Sequence, residues 1–170
     1  MADKTFTYDV AALWMQDNTR IADIRSFTPP ALAVTVGNFK TTWYDMAIPV
    51  DTGLEPMQSE FKAGCDVDIL AMFGMIQGGK SRVQVRRVYT DSEQTVHTWI
   101  DEMEGIISNI TADEHGTDSK EGVGVTVTMN LSYYKLTVDD SVRIEIDPAN
   151  MIRSVNGVNQ LAALKDALLM

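Results

Sequence analysis

The sequence has few of the side chains on which redox, metal and nucleophilic chemistry depend. Cys65 is the single cysteine, so an internal disulfide is impossible and a reducing compartment is expected. The two histidines, His97 and His115, are too few for a zinc site without further soft or imidazole ligands. The sequence contains no nucleophile elbow, no phosphate-binding loop and no paired serine, histidine and aspartate. We therefore predict a protein that is not an enzyme and that holds neither a cofactor nor a metal ion.

Long apolar runs and clustered basic residues are missing as well. No stretch approaches the ~20 apolar residues that span a bilayer, and residues 1–4 do not begin a secretory signal, so no membrane insertion is expected. The formal net charge of -10 argues against a surface that grips nucleic acid, because phosphate binding needs clustered lysine and arginine. An acidic surface serves solubility, and it would also let DNA slide past without sticking.

Alternating apolar and polar residues dominate what the sequence does contain. At 170 residues, a single domain spanning 1–170 is expected. Residues 123–134 give the clearest strand, with one apolar face and one face of small uncharged side chains. A change of phase near Tyr133 predicts a β-bulge, and Asp139-Asp140-Ser141 predicts a hairpin turn before a return strand. Another bulge is predicted at Arg86-Arg87, where the apolar phase of an earlier strand breaks. The chain is therefore predicted to be mainly β.

A long hairpin with an aromatic tip is predicted at about residues 31–62. Strand-like segments lie on either side of the polar and aromatic stretch 38–45. Trp43 and Tyr44 are adjacent within that stretch, where an isolated monomer gains little from them. Exposed aromatic side chains are favoured at protein interfaces, although both rings could instead fold back on their own sheet. The sequence leaves these two interpretations open.

Two short helices are predicted, one internal and one C-terminal. Residues 66–73 fit a helix with Val67 and Leu70 on its apolar face. A second helix, at about residues 158–168, carries an apolar stripe. The stripe consists of Val158, Leu161, Leu164 and Leu168. We predict that it docks on protein, either on the subunit's own sheets or on a neighbour.

Glu102 and Glu104 fall on one face of the extended stretch 96–110. The pair could mimic the two carboxylates of a glycosidase. Those carboxylates, however, flank a sugar from opposite sides in an aromatic-lined cleft. Two solvated acids are the favoured interpretation, and a small enzyme or a carbohydrate-binding β-domain is the competing class of function.

Three blocks of sequence, in the same order, resemble the major tail tube proteins of contractile-tailed bacteriophages and the related R-type pyocin tube protein. They are Asp51-Thr52-Gly53-Leu54-Glu55-Pro56-Met57 through Phe61 with the helix that follows, Leu131-Ser132-Tyr133-Tyr134-Lys135-Leu136 with its hairpin turn, and the run from Glu145-Ile146-Asp147-Pro148 through Leu161. One departure is the hairpin tip, where Thr41-Thr42-Trp43-Tyr44 stands in place of the Gly-Gly pair of many relatives.

The resemblance implies a β-sandwich or barrel-like subunit with a short internal helix and a C-terminal helix. Six subunits would form a ring with a continuous inner β-barrel, and stacked rings would form the inner tube of a contractile tail. A tail sheath protein would lie outside, tape measure protein and DNA would lie inside without sequence-specific binding, and baseplate and tail terminator proteins would cap the ends. The implied location is the virion tail, assembled in the host bacterial cytoplasm. The alternative is the tube protein of a phage-tail-like bacteriocin or a secretion-type injection particle.

Three sets of residues are predicted to serve assembly in such a tube. The hairpin tip would make ring-to-ring contacts, polar strand faces would line an acidic or neutral lumen, and the C-terminal stripe would dock on protein. The ring-to-ring set is Lys40, Trp43, Tyr44 and Asp45. The lumen set is Gln58, Glu60, Glu102, Glu104, Thr126 and Thr128.

Overall fold

The computed structural model describes residues 5–15, 20–21, 24–65, 67–72, 79–116 and 122–169. Their secondary structure is mainly β, as the alternation predicts. The strands are β1 (Thr7–Met15), β2 (Arg20–Ile21), β3 (Ile24–Thr28), β4 (Val34–Phe39), β5 (Ile48–Leu54), β6 (Met57–Gly64), β7 (Ser81–Thr90), β8 (Val96–Ala112), β9 (Gly124–Val138), β10 (Ser141–Asp147), β11 (Ile152–Val155) and β12 (Val158–Asn159). The helices are α1 (Val67–Met72) and α2 (Ala162–Ala167), and a 3₁₀ turn covers Pro148–Asn150. Neither α1 nor α2 is long and apolar enough to cross a membrane, and the described residues contain no other α-helix.

The two longest strands, β8 and β9, pair with each other over most of their length and organise a ten-stranded sheet. The other edge of β9 pairs first with β6 and then with β10. The other edge of β8 pairs with β7 over residues 96–105. We call β3, β6, residues 124–131 of β9 and residues 106–112 of β8 the short half-sheet. The long half-sheet is the rest of β8 and β9 together with β1, β2, β7, β10, β11 and β12.

Two β-bulges bend the long strands where the half-sheets meet. Glu104 lies opposite Tyr133 while Gly105 lies opposite Leu131, so Ser132 is an extra residue in β9. A second register shift occurs further along β8. A bulge kinks its strand and increases the local twist. The bulge predicted near Tyr133 is therefore confirmed, one residue earlier in the chain.

Both half-sheets contribute to one hydrophobic core. Phe61, Val127 and Met129 come from the short half-sheet and are fully buried, as are Leu13 and Val85 from the long half-sheet. The bent sheet thus folds upon itself, which confirms the predicted sandwich-like subunit. The described strands do not close into a barrel in the single chain, because the long half-sheet ends at β12 and β2.

Gly105 is required where β8 and β9 approach each other at the bulge. A Cβ on Gly105 would lie 2.0 Å from the carbonyl oxygen of Asn130 and 2.8 Å from the Cα of Leu131, both of them backbone atoms. Gly105→Ala is therefore expected to lower the free energy of unfolding by about 1–3 kcal/mol or more, since overpacked sites cost this much. Urea denaturation of the purified variant measures the loss.

Gly122→Ala is the matched control for Gly105→Ala. A Cβ at Gly122 would meet the end of the Arg25 side chain at 3.0 Å, and that side chain can move away. Its urea midpoint should stay close to wild type. An equally stable Gly105→Ala protein would show that the bulge does not depend on the glycine.

The hairpin is shorter than the sequence predicts, because β4 and β5 form a separate two-stranded sheet. Its pairing covers residues 34–39 and 48–54. The predicted range of about 31–62 is too wide because β6 leaves the hairpin after Pro56 and sends alternate residues into the core. Proline has no N–H for a ladder hydrogen bond, which favours the break.

The C-terminal helix is also shorter than predicted. It covers Ala162–Ala167, and Val158 lies in β12 instead, opposite Val155 of β11. The two strands are joined by Asn156 and Gly157, both with positive φ. Asn-Gly favours a two-residue hairpin turn, and this turn outweighs the helical spacing of the apolar residues.

The internal helix lies where the sequence predicts, but a different residue anchors it. Ile69 is fully buried, whereas Val67 and Leu70 are exposed. Ile69 therefore holds α1 to the core. The ends of the predicted range, residues 66 and 73, lie outside the described residues.

A buried ion pair replaces the bulge predicted at Arg86-Arg87. β7 pairs with β8 there without a break, so Arg87 stays in the buried phase of its strand. Its Nε and Nη2 donate to the two carboxylate oxygens of Asp101 at 2.6 and 2.9 Å. The hydroxyl of Tyr134 donates to Asp101 at 2.8 Å. Arginine is tolerated in this apolar phase because Asp101 neutralises it.

Candidate assembly surfaces

One face of the β4–β5 hairpin is apolar and uncovered. Phe39 lies opposite Ile48, and Gly37 lies opposite Val50, so the three large side chains share a face. All three are exposed. A lone two-stranded hairpin is marginally stable, and contiguous exposed apolar surface marks an interaction site. This face is not among the predicted site residues, although apolar residues two positions apart at 48 and 50 indicate it in the sequence.

The predicted ring-to-ring residues all lie exposed at the tip of this hairpin. Trp43 is 93% exposed and Tyr44 is 40% exposed. The backbone N–H of Tyr44 donates to the carbonyl of Thr41 at 3.1 Å, which shapes the turn. The alternative in which the tip aromatics fold back on their own sheet is therefore wrong for Trp43.

The base of the hairpin is tied to the C-terminal part of the chain. A guanidinium nitrogen of Arg153 lies 2.7 Å from a carboxylate oxygen of Asp51. The hydrogen bond from Arg153, and then that from the N–H of Gly53, lower the pKa of Asp51. Arg153 is in β11, so the ion pair links the hairpin to the long half-sheet.

The predicted C-terminal stripe does not dock on the subunit's own sheets. Leu164 and Leu168 are exposed, and Leu161 is half-buried. Asn159 holds the segment before α2, because its side-chain oxygen accepts from the N–H groups of Arg153 and Leu161 at 3.0 Å. The segment is therefore ordered while its leucines face outward, so docking on a neighbour stays a prediction.

The polar face of the short half-sheet brings four predicted lumen residues together. Gln58 and Glu60 project from β6, and Thr126 and Thr128 project from β9, with Glu60 directly opposite Thr128. Core residues alternate with them, so all four point away from the core. The same face carries further small polar side chains, namely Ser26, Thr28, Asn109, Thr111 and Asn130. Lys62 and the exposed Ile106 share this face, opposite Thr126 and Asn130, but most of its side chains carry hydroxyl or amide groups.

Glu102 and Glu104, the other two predicted lumen residues, lie in the long half-sheet. A carboxylate oxygen of Glu102 is 3.7 Å from the Lys135 amine and 3.6 Å from the Arg82 guanidinium. Glu104 lies 3.8 Å from the Lys80 amine. Each acid therefore lies beside basic groups, and the two project from the same face of β8 instead of facing each other from opposite sides of a sugar, as glycosidase carboxylates do.

The short half-sheet has two backbone edges without a partner strand in the described part of the chain. One is the outer edge of β3, whose pairing there is with β6. The other is residues 106–112 of β8, beyond the end of β7. Such edges present N–H and C=O groups to which another strand can pair. This half-sheet can therefore extend on both sides.

A cluster of three titratable side chains, apart from these surfaces, joins two turns. His97 lies between two carboxylates, with Nδ1 2.6 Å from Asp139 and Nε2 3.1 Å from Asp91. Hydrogen bonds to Asp139 and then to Asp91 raise the pKa of His97. Asp91 also accepts from the N–H groups of Glu93 and Thr95. Across the described residues, no three His, Cys, Asp or Glu side chains are placed to hold a metal ion.

Comparison with known families and proteins gives concordant matches. Residues 9–168 match the family described as phage tail tube protein FII. The chain is 29% identical over 145 residues to the tail tube protein of Escherichia phage P2, a match that covers 81% of each protein.

Solved structures share the fold at low sequence identity. One is a chain of the sheath-tube complex of the extracellular contractile injection system PVC in its extended state, with a TM-score of 0.57, 10% identity and coverage of 75% of this chain and 87% of that chain. Another is a chain of the sheath/tube terminator of the same system in its extended state. Its TM-score is 0.56 at 10% identity, and the match covers 77% of this chain and 98% of that chain. At these identities the likeness concerns the fold alone.

Proposed function

Because the chain belongs to the phage tail tube protein FII family, we propose that it polymerises as stacked hexameric rings into the inner tube of a contractile tail. One observation carries this proposal. The short half-sheet combines a mostly uncharged polar face with two open edges. A tube needs both features, because its copies must join side by side and its wall must not hold what passes through.

The ring closes by strand pairing between neighbours. The outer edge of β3 in one subunit pairs with residues 106–112 of β8 in the next. Closing six copies into a continuous inner β-barrel removes both open edges, as it does in other barrels. The long half-sheet then lies outside the barrel, toward the tail sheath protein.

The polar face of the short half-sheet lines the lumen. Gln58, Glu60, Thr126 and Thr128 belong to this wall, whereas Glu102 and Glu104 lie in the outer half-sheet. Tape measure protein and DNA pass along the wall without sequence-specific binding, because phosphate capture needs clustered free cations. Baseplate and tail terminator proteins cap the two ends of the tube.

The exposed apolar surfaces join subunits within and between rings. The hairpin tip, from Lys40 to Asp45, contacts the next ring, and the apolar face formed by Phe39, Ile48 and Val50 is covered by a neighbour. The leucines of α2 dock on a neighbouring subunit. Tryptophan and tyrosine are favoured at such contacts.

The location that follows is a virion tail assembled in the host bacterial cytoplasm. The relative from phage P2 favours this version of the proposal. A phage-tail-like bacteriocin or a secretion-type injection particle would use the same rings and the same stacking without carrying DNA.

Negative-stain electron microscopy of the purified chain tests the proposal. Rings or tubes of uniform diameter are expected. Monodisperse monomers at all accessible concentrations would contradict it and would favour the competing class, a small enzyme or a carbohydrate-binding β-domain.

Loss of the C-terminal leucines is expected to prevent assembly. Each apolar side chain buried against a neighbour contributes roughly 1.5–3 kcal/mol. Truncation after Asn156 should therefore abolish tubes, but it also removes β12 and Asn159. The variant Leu164→Gln/Leu168→Gln isolates the contact, because both side chains are exposed in the single chain. Electron microscopy reports tube formation.

Lys165→Gln serves as the control for the double leucine variant, since it changes the same helix without removing apolar surface. Its tubes should be normal. Normal tubes from the truncated chain or from Leu164→Gln/Leu168→Gln would exclude a docking role for this segment.

A further inference from the structure

We infer that Asp113 masks the Lys62 cation at one end of the polar face, so that the channel wall does not hold a polyanion such as DNA. The inference deepens the proposed function and rests on it, because it takes the polar face of the short half-sheet to be the lumen wall. Lys62 lies in β6, directly opposite Thr126 of the polar face.

Asp113 is held against Lys62 by well-defined geometry. The Lys62 Nζ donates to Asp113 Oδ1 at 2.8 Å, and the N–H of Gly124 donates to Asp113 Oδ2 at 2.9 Å. The N–H of Asp113 donates to the carbonyl of Gly124 at 2.9 Å. The Lys62 and Asp113 side chains are 35% and 34% exposed. A partly exposed ion pair contributes only modestly to stability, so its effect on the charge of the face is the larger consequence.

The glycine at position 124 leaves room for the ion pair. A Cβ there would lie 2.9 Å from Lys62 Cε and 3.1 Å from Asp113 Oδ2. It would also lie 2.9 Å from the backbone oxygen of Ala63, so the strand could not easily shift to relieve the clash. A larger residue at 124 would push the amine and the carboxylate apart.

Asp113 adds a carboxylate beside the few charged residues on the strands of the short half-sheet. The charged residues on the strands of the short half-sheet are Arg25, Glu60 and Lys62. Arg25 lies near the pair, since its guanidinium donates to the carbonyl of Gly122 at 2.7 Å. Asp113 therefore supplies the carboxylate that faces Lys62.

Asp113 also stays ionised at neutral pH. The hydrogen bonds from Lys62 and then from Gly124 lower its pKa, and the charges of Lys62 and Arg25 act in the same direction. Without the carboxylate, every subunit of every ring would present a free cation at the wall. Cations repeated along a channel bind phosphates by releasing counterions.

The variant Asp113→Asn tests the mask. Asparagine keeps an oxygen that can accept from the Gly124 N–H, so the local backbone is preserved while one negative charge is lost. Asp166→Asn, on the exposed surface of α2, makes the same charge change elsewhere. The probe is a short fluorescein-labelled DNA duplex, and its binding is measured to assembled tubes and to free subunits below the assembly concentration.

Asp113→Asn tubes should bind the duplex about tenfold more tightly than wild type at about 50 mM salt, and the gain should vanish by about 200 mM salt. Asp166→Asn should bind like wild type, and Asp113→Asn/Lys62→Gln should return to wild-type binding. The inference is overturned if Asp113→Asn binds no better than Asp166→Asn in either form, or if the double variant keeps the gain. If Asp113→Asn binds the duplex more tightly as free subunits but not as tubes, Asp113 does mask Lys62, but the face does not line the lumen as the proposed function requires.

Discussion

Replacing Trp43 by alanine is expected to leave the subunit folded and to raise sharply the concentration at which tubes form. The indole is 93% exposed in the single chain, so the folded monomer loses almost no contacts with it. A tryptophan that anchors an interface contributes about 2–4 kcal/mol. A loss of this size per subunit contact raises the assembly concentration by about 30-fold to about 1,000-fold. Electron microscopy across a concentration series measures the change.

Val96→Ala is the control for Trp43→Ala, because Val96 is also exposed but lies at the start of β8. Its tubes should form at the wild-type concentration. The urea midpoints of both variants should match wild type, which shows that any loss of tubes is a loss of contact and not of folding. Tubes of normal length from Trp43→Ala at the wild-type concentration would exclude the tip from ring-to-ring contact.

Replacing Arg87 by methionine is expected to destabilise the subunit by about 3–5 kcal/mol, the cost of leaving a buried charge without its partner. Asp101 is fully buried, and among the described residues it would keep only the hydroxyl of Tyr134 as a side-chain partner. Burial by itself would lower the pKa of Arg87, but the hydrogen bonds and charge of Asp101 outweigh it and raise that pKa, so the guanidinium stays charged. The loss is a large part of the 5–15 kcal/mol typical of a whole domain. Urea denaturation measures it.

Two companion variants separate the ion pair from simple packing. Arg86→Met changes the neighbouring exposed arginine and should stay near wild-type stability. Arg87→Met/Asp101→Leu should recover much of the loss, because no unpaired charge then stays buried. If the double variant is as unstable as Arg87→Met, the buried charge is not the cause.

The double variant should still fall short of wild type because it leaves Tyr134 without an acceptor. Burial, followed by the charge of Asp101, raises the pKa of Tyr134, so its hydroxyl stays protonated and needs an acceptor. An unpaired buried hydroxyl costs about 1–3 kcal/mol. Adding Tyr134→Phe to the double variant should therefore recover that part of the lost stability.

Local sequence patterns predict the local structure of this chain well. Alternation locates β9 and β10, because each strand has one face against the core and one face away from it. Asp139 and Asp140 form the turn between them, both with positive φ, a conformation that aspartate tolerates. The C-terminal helix is predicted to begin too early, because helical spacing assigns Val158 to its apolar stripe. Val158 instead pairs with Val155 across the Asn-Gly turn.

Contacts between distant residues could not be predicted from the pattern. The Lys62 and Asp113 pair spans 51 residues, and the hydrogen bonds of Arg87 with Asp101 span 14. Periodicity assigns a side chain to a face, but it does not say which strand lies alongside. Arg87 illustrates this limit. A charged residue in the apolar phase of a strand predicts a bulge as long as its buried partner, Asp101, is not known.

The surfaces of the subunit were the hardest part to predict. Alternation cannot distinguish a face that meets solvent from one that meets another subunit. Gln58 and Thr126 lie on one face of the short half-sheet, whereas Glu102 lies in the long half-sheet. The sequence nevertheless groups all three as polar strand positions. The bulges that divide β8 and β9 decide this separation.

A reconstruction of the assembled particle by electron cryo-microscopy tests the central claim most directly. We predict hexameric rings in which β3 of each subunit pairs with residues 106–112 of β8 in its neighbour, with Gln58, Glu60, Thr126 and Thr128 on the channel wall. The wall should carry a neutral or negative potential along its length. Rings lined by the face that carries Glu102 and Glu104, a wall of net positive potential, or a particle without closed rings would contradict this account.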